Sequence, residues 1–169
     1  MSNLRETFIE ELKDLYDAEK QIIKALPKMI KAAEHDDLKT AFEMHLEESE
    51  EQIHRLEKVF KLFGEPAKAK KCKGMEGLLE EGKEQIQDEE GDAALICAAQ
   101  KVEHYEIASY GSLISWARLL EAEEAVELLE QTLNEEEQAD EKLTQIAESI
   151  VNPEEAEEVS AGPRGRSHH

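Results

Sequence analysis

The chain has little of what builds sheets, membrane spans or disulfide frameworks. Aromatic residues make up 5% of its 169 positions, and glycine and proline number 8 and 4. A chain so poor in aromatics and so rich in Ala, Glu, Lys and Leu disfavours strands and favours long helices. Its two cysteines, Cys72 and Cys97, form no framework and read as plain thiols of a reducing, cytoplasmic setting. No apolar run approaches the ~20 residues of a membrane span. Arg5, Glu6 and Glu10 stand where a signal peptide would begin, so none is expected. Basic residues are the minority, 20 against 41 acidic ones, for a formal net charge of -21. Such a surface repels phosphate backbones and anionic membranes, so neither nucleic acid nor a membrane is expected as partner, and cations are attracted.

What is present is helical periodicity. Four long stretches carry it, over residues 3–34, 37–63, 92–120 and 123–151. The first pair is separated only by the neighbourhood of His35, and the last pair only by Glu121 and Ala122. Connections that short enforce antiparallel hairpins. The middle connection is long, holds Gly64, Pro66, Gly74, Gly77, Gly82 and Gly91, and has room for a short helix over 75–87 using Met75, Leu78, Leu79 and Ile86. Two hairpins joined by one long crossover predict an all-α, ferritin-like four-helix bundle over 1–151. Pro27 falls inside the first stretch, but the apolar pattern runs on through Leu26, Met29, Ile30 and Ala33, predicting a kink and not an end. From Asn152 to the terminus there is no core pattern, so 152–169 is expected to be a mobile tail. His168 and His169 resemble a purification tag and are set aside.

The interior stripes, stepping by three and four, are broken by polar residues. The first helix gives Phe8, Leu12, Leu15, Glu19, Ile22 and Leu26; the second Phe42, His45, then Glu48 or Ser49, Gln52 and Leu56. The third gives Ile96, Ala99, Glu103, Glu106, Tyr110 and Leu113; the fourth Leu129, Leu133, Glu136, Asp140 and Leu143. Counting outward from each turn, Glu103 is level with Asp140, and Glu106 falls between Glu136 and Glu137. Glu19 is level with Gln52, and Glu48 lies within about one helical turn of it. A single polar layer in mid-bundle is therefore expected. No Lys or Arg occupies the stripes at that level, and a buried lone carboxylate costs several kcal/mol. Bound cations are the natural partners, and an oxygen-rich set suits iron, manganese, magnesium or zinc.

Each position also has a plainer reading. A single Glu on a stripe is more often solvated, although the two facing pairs resist that explanation. His45 and Gln52 are as consistent with satisfied core residues as with ligands. Tyr16 and Tyr110 are packing residues by default, with a hydrogen bond to a carboxylate as the alternative. Glu51 and His54 spell Glu-x-x-His but fall off the stripe, which makes the match a decoy. His104 adjoins Glu103 and either caps the layer or faces outward, while Trp116 and Phe60 read as packing or interface residues.

Several segments resemble the YciE/YciF-like bacterial stress proteins. They are Leu15-Tyr16-Asp17-Ala18-Glu19-Lys20-Gln21, His45-Leu46-Glu47-Glu48-Ser49 with Gln52, Cys72-Lys73-Gly74-Met75-Glu76-Gly77-Leu78, and Glu103-His104-Tyr105-Glu106-Ile107-Ala108-Ser109-Tyr110-Gly111. Glu135-Glu136 with Asp140 and Leu143 completes the set. The resemblance implies a ferritin-like, rubrerythrin-related fold, a homodimer, a stress-response role and a di-metal centre. It also implies that Glu19, Glu48, Glu106 and Glu136 occupy the four carboxylate ligand positions. The histidines of the ferritin-like Glu-x-x-His pattern do not follow: Glu51 stands three after Glu48, and Ala139 three after Glu136. Glu103, Asp140, His45 and Gln52 are the available substitutes. Two functions remain open. One is an oxidoreductase with two iron or manganese ions acting on a small oxidant such as oxygen or peroxide. The other is a non-catalytic stress or interaction protein whose layer holds structural metal or shared protons.

Overall fold

Six α-helices and no strand make up residues 3–160, the portion described by the computed structural model. They are α1 (Leu4–Ala32), α2 (Asp36–Leu62), α3 (Lys73–Gln87), α4 (Asp92–Leu119), α5 (Glu123–Ile146) and α6 (Asn152–Ser160). Asn3 caps α1 by accepting the Glu6 amide at 2.9 Å, which satisfies one of the orphan donors of the first turn. The helix then runs without interruption through Pro27. Gly64, at φ 69, closes α2 in the left-handed conformation that only glycine adopts without cost. All four long helices and the short crossover helix form where the periodicity places them.

The four long helices close a ring in the order α1, α2, α5, α4, each packed on the next, and α3 lies outside against α1 and α4. Neighbours are antiparallel. The α1–α2 and α4–α5 turns impose this, and the crossover returns the chain to the α1–α2 end before α4 begins. Phe8, Leu12, Leu15, Phe42, Leu56, Phe60, Leu113 and Leu129 fill the interior at 1% exposure or less. Each such side chain contributes about 1.5–3 kcal/mol of hydrophobic stabilisation. These apolar layers hold the polar layer in place.

The chain's end differs from expectation. The helix does not stop at residue 151. A π-helical turn over Ala147–Val151 leads into α6, and two acids of the acidic run dock back on the bundle. Glu154 Oε2 lies 2.5 Å from His35 Nε2, and Glu155 Oε1 accepts the Ala93 amide at 3.1 Å. A side chain on Gly91 (φ 93) would meet that Glu155 oxygen at 2.9 Å. Asp92, 2% exposed, completes the cluster by accepting the Glu34 amide (3.0 Å), the His35 amide (2.9 Å) and His35 Nδ1 (2.6 Å). Charge pairing and backbone capping thus replace the missing apolar pattern. Residues 161–169 of the expected tail, including His168 and His169, lie outside the described residues.

Candidate metal centre

Four glutamates and one histidine meet in the bundle interior. Glu19 comes from α1, His45 from α2, Glu103 and Glu106 from α4, and Glu136 from α5; the glutamates are completely buried and His45 is nearly so. The three-residue step on α4 puts both of its acids on one inward face. His45 Nε2 lies 2.9 Å from Glu103 Oε1 and 3.8 Å from Glu136 Oε1. Ligand atoms of His45, Glu106 and Glu136 fall within 4.8 Å of one another. Tyr110 donates its hydroxyl hydrogen to Glu19 Oε1 at 2.9 Å.

The electrostatics follow from burial. Desolvation pushes Glu19 up to about 7, with the Glu136 charge adding to it and hydrogen bonds from Glu106 and Tyr110 opposing it. Desolvation likewise pushes Glu103 up to about 8, helped by the charges of Glu19, Asp140 and Glu48 and opposed by a hydrogen bond with Glu136. Glu106 and Glu136 are raised well above the carboxylate range, first by burial and then by their acidic neighbours. Without a cation the layer lowers its cost by keeping protons, shared within the pairs Glu19–Glu106 and Glu103–Glu136.

The layer as a whole suits a cation. Apart from protons shared between the carboxyls, one oxygen of Glu19, both oxygens of Glu103, Glu106 and Glu136, and His45 Nε2 are buried with no well-formed hydrogen bond. His45 Nε2 is near Glu103 but not aligned to bond it. Native interiors seldom leave polar side-chain atoms unsatisfied, and among the described residues all the unsatisfied ones but Gln85 Oε1 on α3 lie in or beside this layer. Four carboxylates match the charge of two divalent ions, and oxygen donors with one imidazole suit iron, manganese or zinc.

The predicted residues divide into two groups. Glu19, Glu103, Glu106, Glu136 and His45 stand together. Glu48 is only half-buried and lies to one side, its carboxyl raised by partial burial and by Glu135. On α2 the inward positions belong to His45, Ser49 and Gln52. Gln52 turns its amide to Glu135 Oε1 at 3.3 Å, leaving its own carbonyl oxygen unpartnered. Asp140 is partly buried and takes exposed His104 at 3.1 Å through one oxygen, while its other oxygen is buried without a partner. Glu51 and His54 are solvent-exposed, and His54 pairs with Glu57 at 3.3 Å, so the literal Glu-x-x-His stands apart from the buried layer.

One expectation needs correcting, that of an interior without basic residues near this level. Arg55 is 7% exposed, and its guanidinium holds Glu135 by bonds of 2.5 and 3.1 Å and Thr132 at 3.1 Å. It sits one turn beyond Gln52 on the α2–α5 seam. That seam is not a hairpin, so counting from turns never aligned it. Arg55 neutralises Glu135 and leaves the four central glutamates uncompensated. The signal was available, since Arg55 continues the step of three from Gln52.

The chain matches the family described as "Domain of unknown function (DUF892)" over residues 3–156. It is 46% identical over 157 residues to protein YciF of Escherichia coli (strain K12), covering 90% of this chain and 95% of that protein. The crystal structure of the E. coli stress protein YciF superposes with a TM-score of 0.86, covering 90% of this chain and 99% of that one. YcfI of Rhodopseudomonas palustris, 41% identical, superposes with a TM-score of 0.82 over 86% of this chain and 96% of its own.

Proposed function

The chain belongs to the DUF892 family, and on that premise we propose that it is a ferritin-like stress-response protein with a metal centre in its bundle core. The observation that carries this reading is the convergence of partnerless, fully buried carboxylate oxygens beside His45. Glu19, Glu103, Glu106, Glu136 and His45 would hold two transition-metal ions, iron or manganese, with Asp140 and Glu48 at the margin. Such ions, when bound, supply redox chemistry toward oxygen or peroxide. The protein's own contribution is a dry interior, a fixed ligand set and Tyr110 holding Glu19 in orientation. Elemental analysis of protein purified without chelators should find two transition-metal ions per chain, lost in Glu106→Gln and Glu136→Gln. Absence of metal under metal-replete growth would sink the proposal.

A specific feature favours a second, non-catalytic reading. The histidines of the ferritin-like pattern are replaced by exposed Glu51 and by Ala139, so among the described residues one imidazole, that of His45, joins the central glutamates. Metal-loaded protein that turns over neither ferrous ion with oxygen nor peroxide would identify the centre as structural. A homodimer belongs to this proposal too, and light scattering should give twice the chain mass.

A further inference from the structure

The crossover helix α3 leaves part of the α1–α4 flank uncovered. Between the three helices runs a groove of about 650 Å³. Its floor is apolar, formed by Ala25 and Met29 of α1, Leu79 and Ile86 of α3, and Ala98 and Val102 of α4. Lys24, Lys28 and Lys31 line its α1 edge at helical spacing, and Lys83 of α3 adds a fourth ammonium.

Basic residues are scarce in this chain, 20 against 41 acidic ones, and four of them gather on this one groove. Lys13, Lys70 and Lys71 each reach a carboxylate, at 3.4, 3.4 and 3.1 Å. Among the described residues, Lys24, Lys28, Lys31 and Lys83 reach none within ion-pair distance. Two acids of α3, Glu76 and Glu80, also line the groove, and Glu76 is already taken by Lys71, so the lining stays net positive. A cationic edge over an apolar trough is complementary to a ligand with a long apolar body and one anionic end. The volume is of the size that encloses small molecules, roughly 300–1,000 Å³. A second copy fits less well, because a two-fold contact here would set lysine against lysine. A bilayer fits less well too, because the surrounding surface is strongly negative.

We propose that this groove binds a free long-chain carboxylate, a fatty-acid-type amphiphile. Its hydrocarbon lies along Met29, Leu79, Ile86 and Val102, and its head group sits among Lys24, Lys28 and Lys31. The test is calorimetric titration of the full chain with dodecanoate below its micelle concentration, with dodecanol as the uncharged control. Saturable binding of one dodecanoate per chain is expected, with dodecanol about tenfold weaker. The triple change Lys24→Gln, Lys28→Gln, Lys31→Gln should weaken dodecanoate by about the same factor and leave dodecanol unchanged. Ala25→Phe, which fills the trough, should abolish both. All three lysines are exposed, so that variant decides the matter even if Ala25→Phe misfolds. No saturable binding, or equal binding by the triple variant, would overturn the proposal. So would a change in oligomer mass on groove substitution, which would make a second copy the occupant.

Discussion

Two buried acidic clusters in this molecule treat their carboxylates in opposite ways. At the bundle end, Asp92 is buried and fully engaged, by two backbone amides and the His35 ring, which in turn ties down Glu154. In mid-bundle, Glu103, Glu106 and Glu136 are buried more deeply, yet beyond protons shared between carboxyls their oxygens have no well-formed hydrogen bond. Both clusters centre on buried carboxylates, so the difference lies in what each is built to receive. The end cluster is complete with the chain's own atoms and fastens α6 and the α1–α2 turn to the start of α4. The central cluster is incomplete, and an incomplete buried cluster is tolerated where it serves a ligand.

The largest effect should separate the two clusters by metal. Saturating manganese or ferrous ion should stabilise the protein by about 3–4 kcal/mol per bound ion in denaturant melts at hundreds of times the dissociation constant. Glu106→Gln should remove that gain and Asp92→Ala should keep it. A gain that survives in Glu106→Gln would place the metal elsewhere. Asp92→Ala should itself cost about 3 kcal/mol, because it strands two amides and an imidazolium. Metal-free Glu106→Gln should cost nothing or gain about 1 kcal/mol, since an amide of the same shape replaces a carboxyl that is tolerated there only while it holds a proton. If both substitutions destabilise alike, the contrast between the clusters fails.

Acidity offers a subtler separation. The folded-state values of Glu19 and Glu103 are raised from 4.5 to about 7 and about 8. The folded protein therefore holds more protons than the unfolded one. This contribution to metal-free stability is full below about pH 4.5 and is lost as pH rises through 7 to 8. His35 is also raised, chiefly by its hydrogen bond with Asp92, so its share is full below 6.5 and lost above that. Melting temperature in EDTA should therefore fall on going from pH 5 to pH 8. The metal-dependent gain should run the other way, because ions must displace those protons. A metal effect that does not change with pH would contradict the assignment.

Smaller effects should follow from the periphery. Tyr110→Phe removes the hydrogen bond to Glu19, which should cost about 1 kcal/mol in stability and roughly tenfold or more in metal affinity. Exposed Glu51→Ala and His54→Ala should stay within about 0.5 kcal/mol of the parent and keep full metal content. Loss of metal in either variant would restore the Glu-x-x-His reading.

Much of this was legible in the amino-acid order. Leu12, Leu15, Ile22 and Leu26 repeat at helical spacing, so the position of Glu19 within that row already declared it interior. The three-residue step of Glu103 and Glu106, and the short α4–α5 turn, were enough to bring Glu136 level with them. The interior place of Arg55 was available from its step of three after Gln52, but its pairing with Glu135 was not, because the two meet on the α2–α5 seam, where no turn sets the register. Nor was the choice on α2: the rotation of that helix against α5 puts His45, Ser49 and Gln52 inward and leaves Glu48 at the side. The docking of α6 was equally hidden, since it depends on single hydrogen bonds from Glu154 and Glu155 and not on a repeating pattern.

Periodicity and turn length, which are local properties, were thus sufficient to make a four-helix bundle with a polar layer at its middle. Which oxygens go unsatisfied, which acid finds Arg55, and which flank keeps its lysines unpaired were decided only when distant helices met. Those outcomes depend on helix rotation and on contacts between seams, and a linear spacing rule carries neither.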